Sequence, residues 1–373
     1  MLSFVHGGNI YDVVKERGER GETGDGSLSP KKRRQRTVPC LPETVPPLLD
    51  LSVSLNPLGM PEGLKEILIS SVSCASNYPE PGNKSLSMMA GDVFGISPTE
   101  IVFGNGASEL IMALTRLFLR KKALLAVPCF TGYIYALKNV CPDCEIVYHC
   151  LKEENGFLLD PGIVGAIERE RPDIIFLTNP NNPNGALIEK SLLSEIVSIC
   201  EKIGTHLVID ECFLPFTGRD ESDSYLTRLS GKKNFTVLRA FTKTFSIPGV
   251  RIGYCATDEK TAELLQSNLP EWNMSVIAQE AGRYCLKNLS YETKANSLIK
   301  EERAYLSNSL RDLGFTVFPS DCNFLLFKKG DREPSPVSIL IRDCSNIPGL
   351  SKGYYRIGIK KHEDNERFIT ALR

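Results

Sequence analysis

Ile174-Ile175-Phe176-Leu177-Thr178 runs straight into Asn179-Pro180-Asn181-Asn182-Pro183-Asn184-Gly185. Five apolar or β-branched residues with no polar alternation read as a short strand buried on both faces. The residues that follow are Asn, Pro and Gly alone, which turn the chain by side-chain hydrogen bonds, a fixed φ and a free φ respectively. The same rhythm extends outward. Downstream, a helical stretch from Lys190 to Ile203 leads to His206-Leu207-Val208-Ile209-Asp210, then to Phe235–Arg239 and Arg251–Ala256. Upstream, Ile101-Val102-Phe103 enters Gly104-Asn105-Gly106 and a helical Ser108–Leu119, and Ala123–Val127 stops at Pro128. Apolar strands alternating with helices imply an α/β fold with a mainly parallel sheet covered on both faces. Ligands of such sheets sit beyond the strand C-termini. Gly104–Ser108, Asn179–Gly185, Asp210 and Lys243 all fall there, which locates a site before any motif is named.

The C-terminal third has a different pattern. A helical run from Trp272 to Leu289 continues from Tyr291 to Leu313, followed by strands at Phe315–Pro319, Asn323–Phe327, Ile339–Asp343 and Tyr354–Ile359, and by a last helix from Asp364. This is an α+β unit, expected to include the N-terminal segment. The division predicted is a larger unit over 60–268 and a smaller one from 1–59 and 269–373, with an irregular loop over 15–47. That loop carries Lys31-Lys32-Arg33-Arg34-Gln35-Arg36, read as a solvated charge run because no basic face elsewhere supports nucleic-acid contact.

A chain of 373 residues with 44 Lys+Arg against 45 Asp+Glu has no net pull toward nucleic acid or anionic membrane. Met1–Tyr11 lacks a basic stretch followed by an apolar one, and no apolar run is long enough to span a bilayer. A secretory signal is therefore not expected. The 12 cysteines are scattered through apolar contexts, as in a reducing, cytoplasmic setting. A zinc site needs four ligands and a redox pair needs a cysteine opening a helix, but Cys141-Pro142-Asp143-Cys144, near His149 and Cys150, runs into the strand-like Glu145-Ile146-Val147-Tyr148 and reads as a turn with incidental thiols. No metal is expected.

The chemistry lies in four places. Gly106-Ala107-Ser108 opens a helix, where unpaired N–H groups favour a phosphate. Lys243, in Phe241-Thr242-Lys243-Thr244-Phe245-Ser246-Ile247-Pro248-Gly249-Val250-Arg251, is an amine among apolar neighbours, suited to attack a carbonyl. Asp210 closes a buried strand and needs a cation. Asn182 sits on a rigid turn. A phosphate cradle, a carbonyl-capturing amine, a carboxylate for a pyridinium nitrogen and an amide for a phenolic oxygen together describe a site for pyridoxal 5′-phosphate.

On these residues the chain resembles the fold type I, aminotransferase-like family of pyridoxal phosphate enzymes, from about Leu49 to the end. The resemblance implies a seven-stranded, mainly parallel sheet, and a homodimer. It implies that Lys243 carries the cofactor, that Asp210 holds its ring nitrogen, and that Asn182 bonds its phenolic oxygen. Phe130 would stack on the ring, and Gly106, Ala107, Ser108, Thr242 and Arg251 would hold its phosphate. Tyr78 would reach that phosphate from the neighbouring subunit. Phe213 stands where many relatives have a tyrosine to the phenolic oxygen, a bond phenylalanine cannot make.

Within the family, two groups compete. Histidinol-phosphate aminotransferases share the layout and would use 2-oxoglutarate. The ends of the chain instead resemble the threonine-phosphate decarboxylases of cobalamin biosynthesis: His6-Gly7-Gly8-Asn9, Leu55-Asn56-Pro57-Leu58-Gly59-Met60-Pro61, and Ile341-Arg342-Asp343-Cys344-Ser345-Asn346-Ile347-Pro348-Gly349-Leu350 followed by Tyr355-Arg356. The implied substrate is a small phosphorylated amino acid held by His6, Gly7, Ser54, Asn56, Asn182, Arg342 and Arg356. Ser54 departs from the asparagine usual in that group. The implied reaction is decarboxylation of O-phospho-L-threonine.

Overall fold

The computed structural model describes residues 48–219, 223–228, 233–330, 334 and 339–373. His6, Gly7, the loop over 15–47 and its basic run lie outside the described residues. In chain order the strands are β1 (Leu49–Asp50), β2 (Ile101–Gly104), β3 (Lys122–Val127), β4 (Glu145–Cys150), β5 (Ile174–Thr178), β6 (His206–Asp210) and β7 (Phe235–Arg239). They continue with β8 (Gly253–Thr257), β9 (Thr316–Val317), β10 (Phe324–Lys328), β11 (Ile339–Leu340), β12 (Arg342–Asp343) and β13 (Tyr354–Gly358).

Seven of these form one sheet in the order β2-β8-β7-β6-β5-β3-β4. Strand β8 runs antiparallel to both β2 and β7, and the other neighbours are parallel. The apolar runs follow from burial on two faces. Ile175 and Leu177 enter one hydrophobic core while Ile174 and Phe176, pointing the other way, enter a second. The edge strand β4 is the exception. It has only one neighbour, and its Glu145, Tyr148 and Cys150 are exposed or half-buried.

The flanking helices are specified locally as well. In Lys190–Ile203 the Glu189 carboxylate accepts the Leu192 N–H at 3.0 Å, and Gly204 ends the helix at φ 79°. Leu192, Leu193, Ile196, Val197 and Cys200 form its buried stripe. Burying each such leucine or isoleucine contributes about 1.5–3 kcal/mol.

The smaller part is a four-stranded antiparallel sheet in the order β12-β13-β10-β9, with helices Asn296–Asp312 and His362–Leu372 contributing to its core. Two expectations are refined here. The long helical run is divided into Val276–Lys287, Ser290–Thr293 and Asn296–Asp312. At the first break the Asn288 side chain bonds the Tyr284 carbonyl at 2.8 Å, the kind of local side-chain bond that competes with helix continuation. The single strand expected over Ile339–Asp343 is two short ones: β11 pairs with β1, and β12 pairs with β13. The chain thus changes sheets at Ile341. Helix Val276–Lys287, grouped by sequence with the smaller unit, packs on helices Glu62–Ser71 and Lys84–Phe94 beside the larger sheet. Among the described residues, no helix is long and apolar enough to cross a membrane.

Candidate active site

A cavity of about 290 Å³ lies past the C-terminal ends of β5, β6 and β7. Its position agrees with the polar interruptions read from sequence.

Lys243 reaches it from the short helix Phe241–Thr244, which follows β7 after one extended residue, Ala240. Phe241 and Phe245 are fully buried and anchor that turn. Withdrawal from water lowers the Lys243 amine to about 8, and the positive charges of Arg356, Arg251 and Lys360 act in the same direction. Asn56 supports the turn from outside. Its N–H bonds the Lys243 carbonyl at 3.0 Å, and its amide nitrogen bonds the Thr244 carbonyl at 2.8 Å. The Asn56 oxygen in turn accepts the Leu58 N–H. Asn56 is not among the residues lining the cavity. The structure therefore puts it behind Lys243 instead of beside a substrate.

Asp210, at the end of β6, is 5% exposed and lines the cavity. Burial raises its carboxyl pKa, opposed by hydrogen bonds from Cys212 and Tyr133. No cationic side chain among the described residues offsets that burial. A buried carboxylate facing a cavity without a counter-charge fits a protonated ring nitrogen.

The phosphate cradle is equally specific. Gly106 precedes helix Ala107–Phe118 at φ 77°, and a Cβ there would lie 2.6 Å from an Arg251 guanidinium nitrogen. Having no side chain, Gly106 cannot cap the helix; its carbonyl takes the Glu109 N–H at 3.2 Å, and the N–H groups of Ala107 and Ser108 remain for a ligand. Arg251 itself sits at φ 62°. Ala107, Ser108, Thr242 and Arg251 all line the cavity. The donor set matches a phosphate ester, and with Lys243 and Asp210 it fits pyridoxal 5′-phosphate.

The remaining wall is basic. Arg342 on β12 and Arg356 on β13 are direct partners in the antiparallel register. Like charges opposed in this way repel unless an anion lies between them. The Arg356 Nη1 donates to Asn182 Oδ1 at 2.6 Å and Nη2 to the Ser52 carbonyl at 3.0 Å. Since a guanidinium only donates, Asn182 must turn its oxygen toward Arg356, leaving its amide N–H groups for another acceptor. The buried Ser54 hydroxyl and the Arg356 Nε have no hydrogen-bond partner among the described residues, and both residues line the cavity.

Phe130 and Phe213 also line the cavity, with Phe213 packed edge-on against Phe324 at 5.1 Å. Tyr78 lies elsewhere, 81% exposed, with its ring 4.9 Å from that of Trp272. Sequence reasoning missed Thr178, Cys212 and Tyr133. Thr178 and Cys212 line the cavity, and Tyr133 bonds Asp210 at 2.8 Å. The available signal was proximity: Tyr133 follows Phe130 by one helical turn. Among the described residues, no cluster of three or more His, Cys, Asp or Glu is arranged to hold a metal ion.

The family described as aminotransferase class I and II matches residues 47–372. The chain is 32% identical to a threonine-phosphate decarboxylase of Salmonella typhimurium over 383 aligned positions, covering 100% of this chain and 97% of that one. It is 30% identical to histidinol-phosphate aminotransferase 2 of Archaeoglobus fulgidus, over 87% of this chain and 92% of the relative. Among solved structures, a histidinol-phosphate aminotransferase from Clostridium acetobutylicum superposes with a TM-score of 0.78 at 30% identity, covering 87% of this chain and 98% of its own.

Proposed function

Because this chain belongs to the aminotransferase class I and II family and its cofactor is pyridoxal 5′-phosphate, we propose that it decarboxylates O-phospho-L-threonine to (R)-1-aminopropan-2-yl phosphate and carbon dioxide, a reaction of cobalamin biosynthesis. The observation that carries this reading is the opposed pair Arg342 and Arg356 in the wall of the cavity that holds Lys243. Two guanidinium groups side by side, held by Asp343 and Asn346 on one hand and by Asn182 and Ser52 on the other, keep a second proton on each Nη and suit a compact amino acid bearing both a carboxylate and a phosphate. The unpartnered Ser54 hydroxyl and Arg356 Nε add two donors to that wall. His6 and Gly7 would complete it from the N-terminal segment. The full-length similarity to a threonine-phosphate decarboxylase supports the same choice.

When bound, the cofactor supplies an aldehyde that captures amines covalently and a protonated ring that draws electrons from the bond broken at Cα. The residues then divide the work. Lys243 is the attachment amine, and after carbon dioxide leaves its Nζ delivers the proton that takes its place at Cα. Asp210 pairs with the ring nitrogen. Ala107, Ser108, Thr242 and Arg251, with Gly106 admitting the guanidinium, hold the phosphate. Phe130 packs on the ring, and Phe213 contributes apolar surface only. Asn182 offers its N–H to the phenolic oxygen because Arg356 has claimed its carbonyl. The choice between losing carbon dioxide and losing the Cα proton falls to Arg342 and Arg356, which fix the carboxylate.

A histidinol-phosphate-type aminotransferase is the alternative, supported by relatives at 30% identity. Incubation with O-phosphothreonine alone separates the two. Catalytic release of carbon dioxide and the aminopropyl phosphate is expected without any oxo-acid. Turnover that depends on 2-oxoglutarate, with no carbon dioxide formed, refutes the proposal.

We also propose a cytoplasmic homodimer, without nucleic-acid or membrane partners, in which Tyr78 serves the phosphate site of the second copy. The exposed apolar side chains Ile69, Val72, Met88 and Trp272 support such a contact. The two-unit division is kept as a proposal, with 60–268 as the larger unit and helix Val276–Lys287 leaning on it.

A further inference from the structure

Tyr133 belongs to helix Thr131–Val140 and is completely buried. Its ring stacks on Phe176, with centroids 4.9 Å apart, and meets Phe130 edge-on at 5.4 Å. Packing alone would be served as well by phenylalanine. The hydroxyl, however, lies 2.8 Å from Asp210 Oδ2 and 2.9 Å from Thr178 Oγ1.

The direction of these bonds follows from the inventory of donors. An ionised carboxylate only accepts, so the Tyr133 proton points to Asp210, and the Thr178 hydroxyl must then donate to the Tyr133 oxygen. On the other side, the Cys212 N–H donates to Asp210 Oδ1 at 3.0 Å. Each carboxylate oxygen is thus held by a donor from a different element: one from the turn after β6, the other from a helix packed on the sheet. Burial and the nearby Asp210 charge raise the phenol well above its ordinary range, so it remains a donor throughout the working pH range.

We propose that Tyr133, backed by Thr178, is a positioning residue that keeps Asp210 ionised and aimed at the ring nitrogen of the cofactor, and so sets how firmly that nitrogen keeps its proton. The inference rests on the reading of Asp210 as the partner of that nitrogen. Tyr133 itself touches neither cofactor nor substrate in this assignment. Its effect passes through the carboxylate.

The test compares two cofactors on the purified full-length apoprotein: pyridoxal 5′-phosphate, and its analogue with carbon in place of the ring nitrogen. Wild type should bind the natural cofactor more tightly, and the gap measures what Asp210 contributes. Losing one charge-assisted hydrogen bond, Tyr133→Phe should narrow that gap by about tenfold to a hundredfold while changing affinity for the carbon analogue by less than about twofold. Thr178→Val should act in the same direction by a smaller factor, and it carries the test if Tyr133→Phe does not fold. The absorption band of the bound natural cofactor should change in both variants. Equal weakening of both cofactors, or of neither, overturns the proposal, since a packing role would not distinguish them. Asp210→Asn separates the two layers of the argument. If it leaves the gap intact, the reading of Asp210 falls and takes Tyr133 with it. If it closes the gap while Tyr133→Phe does not, only the role of Tyr133 falls.

Discussion

Replacing Arg356 by glutamine removes a positive charge that acts on Lys243 and one fork of the basic wall. With its amine lowered to about 8, about one Lys243 in ten is neutral at pH 7, against roughly one in three thousand at the ordinary lysine value. Only the neutral amine attacks an aldehyde. The apoprotein should therefore capture the cofactor with a rate that climbs through pH 8 and levels off above it. Burial is the main cause of the lowering, and Arg356 is the foremost of the charges that add to it. Without Arg356 the amine should titrate higher by about half a unit to one unit, slowing capture at pH 7 by roughly threefold to tenfold and leaving the plateau at high pH nearly unchanged. The loss of the fork should also weaken O-phosphothreonine by about tenfold or more, as one charge-assisted contact is forfeited. Stopped-flow absorbance of apoprotein mixed with cofactor, from pH 6.5 to 9.5 (a range chosen to bracket the amine, about 1.5 units each way), reads the first effect. A wild-type rate still rising steeply above pH 9, or an Arg356→Gln profile that coincides with wild type, refutes the reasoning.

Three further outcomes are expected. Gly106→Ala places a Cβ against the Arg251 guanidinium at a positive φ, and cofactor affinity by equilibrium dialysis should fall by about tenfold or more, in keeping with about 1–2 kcal/mol of backbone strain. Tyr78→Phe changes an exposed residue, so thermal stability should stay within about 0.5 kcal/mol; if a second copy uses this hydroxyl, cofactor affinity drops only under conditions where sedimentation shows a dimer. If the charge run over residues 31–36 has no part in binding, removing it should leave kcat/KM within about twofold, and a large loss of turnover would assign it one.

Much of the frame could be read from local patterns because each pattern has one cheap solution. The run Ile174–Thr178 has too few residues for a helix and no polar face, so only a central strand satisfies it. Asp210 and Lys243 were legible for a related reason: a carboxylate closing an apolar strand, and an amine set between Phe241 and Phe245 just past the next one, have little other business there. Strand direction was not legible, since β8 carries the same apolar run whether it is parallel or antiparallel. The change of sheet at Ile341 was also hidden, because the residues on both sides of it suit a strand equally. Asn56 shows a different limit. Its motif marks it as part of the site, but which face of the lysine turn its amide serves is decided by a carbonyl 188 positions away, that of Thr244. Tyr133 escaped because an apolar helix stripe accepts tyrosine as readily as phenylalanine, and only the three-dimensional placement of Asp210 gives its hydroxyl a purpose.

Arg356 joins three parts of the molecule that are distant in sequence: its own strand β13, the turn bearing Asn182 after β5, and the carbonyl of Ser52 just past β1. One planar group therefore works as a rivet through stretches of chain that belong to different sheets. Sliding the small sheet along the large one has to stretch the link to Asn182, the side chain proposed to touch the cofactor's phenolic oxygen. If the proposed substrate anion docks at this guanidinium, its arrival and the fit of the two sheets would be registered by a single side chain, with no lever or relay between them.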